Sequence, residues 1–156
     1  MEKCVITGTF DPFTNGHKYV LDTACKLCSK VYVVMFVNPD KKSYFTVAER
    51  LDMLNALAGE YENVEVDHSD KFVIDWCKEH DVKVVLRGIR NSDDYEYERL
   101  MAEYNYTHGN ITTLFINGVN DISSNKVREM IEKGKDYREY VPESIAEKIK
   151  NIIGRR

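Results

Sequence analysis

The chain has no apolar run long enough to cross a bilayer, and its start lacks the pattern of a secretory leader. A cytoplasmic location is therefore expected, with no membrane among its partners. Positive charge is not in excess: 22 Lys and Arg stand against 26 Asp and Glu, a net charge of −4. Nucleic acid, which selects for basic surfaces, is not an expected partner either. Cysteine is sparse, with only Cys4, Cys25, Cys28 and Cys77. Cys25 and Cys28 form a C-x-x-C, but no second pair completes a zinc site, and the motif lies inside a helical segment rather than at its start. Reduced thiols and no protein-bound metal are expected. Internal repeats, low-complexity tracts and linkers are missing, so residues 1–156 read as one domain, and 43% apolar residues suffice for a core. The G-x-G-x-x-G of dinucleotide sites and the G-x-x-x-x-G-K-[ST] of P-loops are absent too. No nucleophile triad or pair of catalytic carboxylates stands out.

What is there begins with alternation. Residues 2–7, 30–37, 63–66, 82–86 and 111–116 read as strands, and the continuous run Lys30 to Val37 marks strands buried on both faces. Helices are predicted over 16–28, with Val20, Leu21, Ala24 and Leu27 inward, and after Thr46, whose Thr46-x-x-Glu49 is a capping box. Others cover 71–80, 92–107, a segment capped by Ser123 or Ser124 and running to about Lys133, and 143–153. Strands alternating with helices at this spacing give a Rossmann-like α/β fold, a five-stranded parallel sheet with helices on both faces. Ligands in such sheets bind at the carboxyl ends of the strands. The loops that fall there are 8–17, 38–45, 87–91 and 117–125.

Each loop carries residues suited to anions. Thr14 and His17 stand at a helix start, where free N–H groups and the dipole favour negative charge. Alone, that pair reads equally as a phosphate site or as an ordinary cap. Lys41 and Lys42 are either solvated surface or phosphate ligands. Arg87-Gly88-Ile89-Arg90 follows a buried strand; arginine is costly to bury without an anion, and its planar fork suits phosphate oxygens. Gly88 would let a ligand approach the backbone. The acidic start Asp93–Glu98 fits the helix dipole, with Glu98 free to orient an arginine or a ligand hydroxyl. The tyrosines of that helix suit core or subunit contacts. Ser123 and Ser124 are either a helix cap or a second anion site.

Taken together, these loops resemble the nucleotidyltransferase superfamily with the (T/H)-x-G-H signature, here Thr14-Asn15-Gly16-His17. Ile122-Ser123-Ser124 with Arg128 is similar to its I-S-S-x-x-x-R signature. Within it the chain resembles the phosphopantetheine adenylyltransferase family. Gly8 to His17, Pro39-Asp40-Lys41-Lys42 with Phe45-Thr46 and Glu49-Arg50, and Arg87-Gly88-Ile89-Arg90 with Asp94-Tyr95-Glu96-Tyr97-Glu98 match that family's segments in register. Thr7, Val119 and Asn125 depart from its pattern, standing where it has Pro, Trp and a third Ser.

The resemblance implies adenylyl transfer from ATP to 4′-phosphopantetheine, giving dephospho-coenzyme A and pyrophosphate in coenzyme A biosynthesis. Mg²⁺, held mainly by substrate phosphates, and a homohexamer are implied as well. It assigns catalysis to His17, Thr14, Lys41 and Arg90. ATP would meet Thr9, Phe10, His17, Gly88, Arg90, Glu98, Ser123, Ser124 and Asn125. The attacking phosphate would meet Thr9, Lys41 and Arg87, and the pantetheine arm Phe72, Val73, Met101 and Asn105. Two other readings stand beside this one: a superfamily relative with another nucleotide or phosphorylated acceptor, and a non-catalytic sensor of adenine nucleotide or coenzyme A.

Overall fold

The computed structural model describes residues 1–118 and 122–156; the departure at Val119 lies outside them. Five parallel strands form one sheet in the order β3-β2-β1-β4-β5. They are β1 (Lys3–Gly8), β2 (Lys30–Phe36), β3 (Val64–Ser69), β4 (Val84–Ile89) and β5 (Thr112–Asn117). The helices are α1 (Asn15–Leu27), α2 (Val47–Ala58), α3 (Val73–His80), α4 (Ser92–Gly109), α5 (Ser124–Glu132) and α6 (Glu143–Gly154), with a 3₁₀ turn at Arg138–Tyr140 before α6.

Alternation along the strands sorts the core into two layers. Cys4, Ile6, Val31, Val33, Met35 and Leu86 face α1, α2, α5 and α6, meeting Leu21, Leu54, Val127 and Ile149. Val5, Val34 and Val85 face the other way, onto Trp76 and Cys77 of α3. The expected parallel sheet covered on both faces is therefore present. All four cysteines are free; burial raises the Cys4, Cys25 and Cys77 thiols, Cys77 to about 12, which disfavours the thiolate.

Several boundaries differ from the sequence expectation. Strand β3 runs on to Ser69 because it pairs with β2 through Phe36. Strand β4 takes in Arg87, Gly88 and Ile89, expected as loop, because β5 pairs with them through Asn117. Leu27, expected inward, is 42% exposed in the last turn of α1. Helices α3 and α4 end on Asp81 and Asn110, both at φ 53°, so short polar side chains fill a conformation that usually favours glycine.

The last helix tests the layered core. Ile149, on the helix that packs against α2, is fully buried in the core, whereas Glu147 two residues before it is exposed. Ile149→Ala is expected to cost about 2–5 kcal/mol in urea unfolding, and Glu147→Ala to stay within about 0.5 kcal/mol.

Candidate active site

Strands β1 and β4 run parallel, and between them the order in which strands are added to the sheet switches sides. Pairing between these strands covers Val5 with Val85 and Ile6 with Leu86. Just beyond it lies a cavity of about 320 Å³, lined by Thr7, Thr14, His17, Arg87, Gly88, Arg90, Glu98, Ser123 and Ser124 among others. Loops far apart in sequence meet there because each follows a strand at the same sheet edge.

Helix α1 aims its start at this cavity. Thr14 is its N-cap and His17 its third residue. The Thr14 backbone N–H donates to His17 Nδ1 at 2.9 Å, and Thr14 Oγ1 lies 3.2 Å from the same nitrogen. A ring nitrogen that accepts an N–H carries no proton, so the neutral imidazole keeps its proton on Nε2. The ring packs against both Phe10 and Phe13, with centroids 5.1 and 5.2 Å away. Burial lowers the His17 pKa to about 4, and the charges of Arg87 and Arg90 push the same way. His17 is therefore a neutral N–H donor at the cavity wall, while Phe10, itself buried, lies behind it. Phe10 also holds φ 48° and lays its ring over Gly8, where a Cβ would stand 3.0 Å from the ring.

Arg87 is anchored before any ligand arrives. Its strand position turns it to the α4 face, with Val5, Thr7 and Val85. Nε and Nη2 donate to the two Glu98 oxygens at 2.9 and 2.6 Å, a bidentate pair, and Nη1 donates to the Thr7 carbonyl and to Thr7 Oγ1. The anion demanded by this half-buried arginine is thus Glu98, in the first instance. Thr7, one of the departures from the family pattern, supplies the extra hydroxyl. Gly88, alternating to the other face, is needed because a Cβ would meet Val20 of α1 at 3.0 Å. Arg90 donates through Nε to Asp94 at 3.1 Å and through Nη1 to the Ile122 carbonyl at 3.3 Å.

On the far side of Arg87 and Glu98 lies a second cavity of about 300 Å³. Thr9, Val73, Met101 and Asn105 line it, and Thr7, Arg87 and Glu98 belong to both cavities. The Thr113 hydroxyl, at its base, is buried with no protein partner. Lys41 lies in neither; it lines a third space of about 150 Å³ with Thr9, Asp11, Arg50 and Arg128. Phe72 is 82% exposed and lines none of these three. Asn125 also lies outside them, with its Oδ1 3.4 Å from Arg128 Nη2, while Ser123 caps α5 and Ser124 donates to the Pro12 carbonyl at 2.8 Å.

Residues 5–130 match the cytidylyltransferase-like family. A phosphopantetheine adenylyltransferase of Streptococcus pneumoniae (strain Taiwan19F-14) is 39% identical over 152 residues, covering 94% of each chain. Another, from Thermobifida fusca (strain YX), is 35% identical over 96% of this chain and 93% of its own. A third, from Clostridium botulinum (strain Hall), is 36% identical over 100% of this chain and 98% of its own. The chain belongs to the phosphopantetheine adenylyltransferase family.

For this adenylyltransferase fold, sequence reading had no signal for Asp11, Arg50 or Thr113 as site-shaping groups. Asp11 and Arg50 were visible only as parts of matching segments, and the contacts that tie them to other loops reach 33 and 41 residues along the chain. Asn15, the variable residue of the signature, turns away from the cavity and donates to the Glu139 carbonyl at 2.9 Å.

The His17 environment predicts a titration. Ring-nitrogen NMR should show the Nε2–H tautomer from pH 8 to pH 5, with protonation centred near 4 rather than at the ordinary 6.5. Because the folded value lies below the unfolded one, the unfolded chain binds a proton first as pH falls. The stability this group contributes is full above about pH 6.5 and is lost as pH drops through about 4. A titration centred near 6.5 would contradict the enclosed ring.

Proposed function

We propose that residues 1–156 form one nucleotidyltransferase domain that transfers the adenylyl group of ATP to 4′-phosphopantetheine, giving dephospho-coenzyme A and pyrophosphate. The observation that carries this reading is the pair of cavities sharing Arg87. One is lined by a neutral histidine, Arg90 and two serines, which suits a nucleotide and its phosphates. The other is longer in apolar contacts, from Val73 to Met101, with Asn105 as a polar partner, which suits a pantetheine arm. Names borne by relatives over nearly the whole chain favour this reaction over another nucleotide, another acceptor or a mere sensor.

The attacking group is a phosphate oxygen, already anionic at neutral pH, so no general base is required. Catalysis then consists of holding two anions in line and donating hydrogen bonds to charge that builds up in transit. His17 donates through Nε2–H, its Nδ1 being tied to its own helix start. Thr14 fixes the ring, and Arg90 with Ser123, Ser124 and Asn125 receives the triphosphate. Thr9, Lys41 and Arg87 hold the attacking phosphate, Lys41 from the neighbouring space that also opens on Thr9. Adenine lies by Gly88 and Glu98, with Phe10 backing the phosphate loop. The pantetheine arm follows Val73, Met101 and Asn105, with exposed Phe72 at its outer end.

Magnesium, when bound, neutralises phosphate charge. No group of three acidic, histidine or cysteine side chains suited to a metal occurs among the described residues. Asp94 and Glu98, the cavity carboxylates, are already paired with Arg90 and Arg87. The residues thus fit an ion whose ligands are the substrate's own phosphates. None of the described helices is long and apolar enough to cross a membrane, in keeping with a cytoplasmic enzyme. A homohexamer would cover the exposed tyrosines of α4, Tyr97, Tyr104 and Tyr106.

The deciding assay supplies Mg²⁺, ATP and 4′-phosphopantetheine and follows pyrophosphate and dephospho-coenzyme A. Product from CTP alone, or tight nucleotide binding without product, would overturn the assignment. In the active enzyme, His17→Ala is expected to lower kcat about 10²–10³-fold with KM for ATP changed only a few-fold, as for loss of one transition-state donor.

A further inference from the structure

Asp11 is a carboxylate that the reaction above does not use. It is only 7% exposed, and it does not line the cavity of His17. Its oxygens instead accept the backbone N–H groups of Tyr44 and Phe45, at 2.8 and 2.9 Å. Those amides close the 38–45 loop that carries Lys41 and Lys42. Arg128 steadies Asp11 from behind, donating to its carbonyl at 2.7 Å with the carboxylate 3.9 Å away. Arg50, 4% exposed, donates to the neighbouring Thr9 carbonyl at 2.9 Å.

The end of the lysine loop is also held by the Phe45 ring, fully buried in the core, with Tyr44 packed beside it; the hydrogen bonds nearer the lysines are local. Lys41 N–H donates to the Asn38 carbonyl, Asp40 N–H to Asn38 Oδ1, and Ser43 Oγ to the Phe45 carbonyl, all within the loop. Exposed Arg156 reaches the Tyr44 carbonyl at 3.1 Å. Two converging N–H donors need an acceptor with two oxygens and no hydrogen, which an ionised carboxylate is and an amide is not. Asp11 shares a space of about 150 Å³ with Lys41, and that space opens on Thr9.

We propose that Asp11 is a positioning residue for the phosphorylated acceptor: by clamping the Tyr44 and Phe45 amides it sets Lys41 beside Thr9. This rests on the reading that Lys41 meets the attacking phosphate. Asp11 acts through the loop and touches no substrate. It joins the signature loop to the lysine loop, so the two halves of the site are set by one carboxylate.

The test compares the full chain, Asp11→Asn, Lys41→Ala and the double variant in the same assay. Asp11→Asn should raise KM for 4′-phosphopantetheine about tenfold and leave KM for ATP within twofold. Added to Lys41→Ala, it should change kcat/KM for the acceptor less than twofold, because its route is already cut. Trypsin should cleave after Lys41 and Lys42 about tenfold faster in Asp11→Asn. Equal losses in both backgrounds, a joint rise of both KM values, a Lys41→Ala enzyme with full kcat/KM, or an unchanged cleavage rate would each overturn the proposal. A wild-type chain that makes no dephospho-coenzyme A refutes the functional reading instead, and the tryptic rate still decides the clamp. Should Asp11→Asn fail to fold, Tyr44→Pro deletes one of the two donors with Asp11 intact. It is then expected to give the same selective rise in acceptor KM, and an unchanged value would overturn the proposal.

Discussion

Where β1 and β4 stop pairing, a backbone carbonyl loses its ladder partner, and everything in the site follows from how that gap is filled. The Thr7 carbonyl is taken by the Arg87 side chain in place of a strand N–H. Arg87 can do so because strand alternation puts it on the same face as Thr7 and on the face covered by α4. Glu98 of α4 then balances the guanidinium with a bidentate contact. The crevice at the strand-order switch is thus walled on this side by an ion pair. On its other face, Gly88 lets α1 approach, which brings the start of that helix and His17 to the opening.

Much of this was legible in residue order. Alternation of apolar runs with helical periodicity gave the parallel sheet, and the polar loops were rightly expected at one edge. The end of β4 was misplaced because Arg87 and Gly88 look like loop chemistry. Pairing with β5, a long-range fact, keeps them in the strand. An arginine after a buried strand calls for an anion, and Glu98, which the acidic helix start offered as a group able to orient an arginine, supplies it from within. The Asp11 contacts were out of reach because nothing local indicates that a buried carboxylate will meet amides 33 and 34 residues on.

His17 illustrates how a common residue acquires an uncommon state. A histidine three positions into a helix is unremarkable in sequence. Its tautomer is set by the Thr14 N–H, and its neutrality by two phenyl rings and two arginines. In a site built around cations, an uncharged donor adds a hydrogen bond without adding another like charge to be held in place. It also keeps the ring's behaviour constant across the ordinary range of pH.

The wall between the two cavities is not inert partition but a pair of charged groups with faces on both sides. Two ligands that each drew on this guanidinium would not be strangers to one another. Whatever free energy one of them spent or gained in adjusting Arg87 would be felt by the other, and equilibrium would require that influence to be equal in both directions. In a site of this design such an exchange between occupants would be located in one ion pair rather than spread over a moving domain.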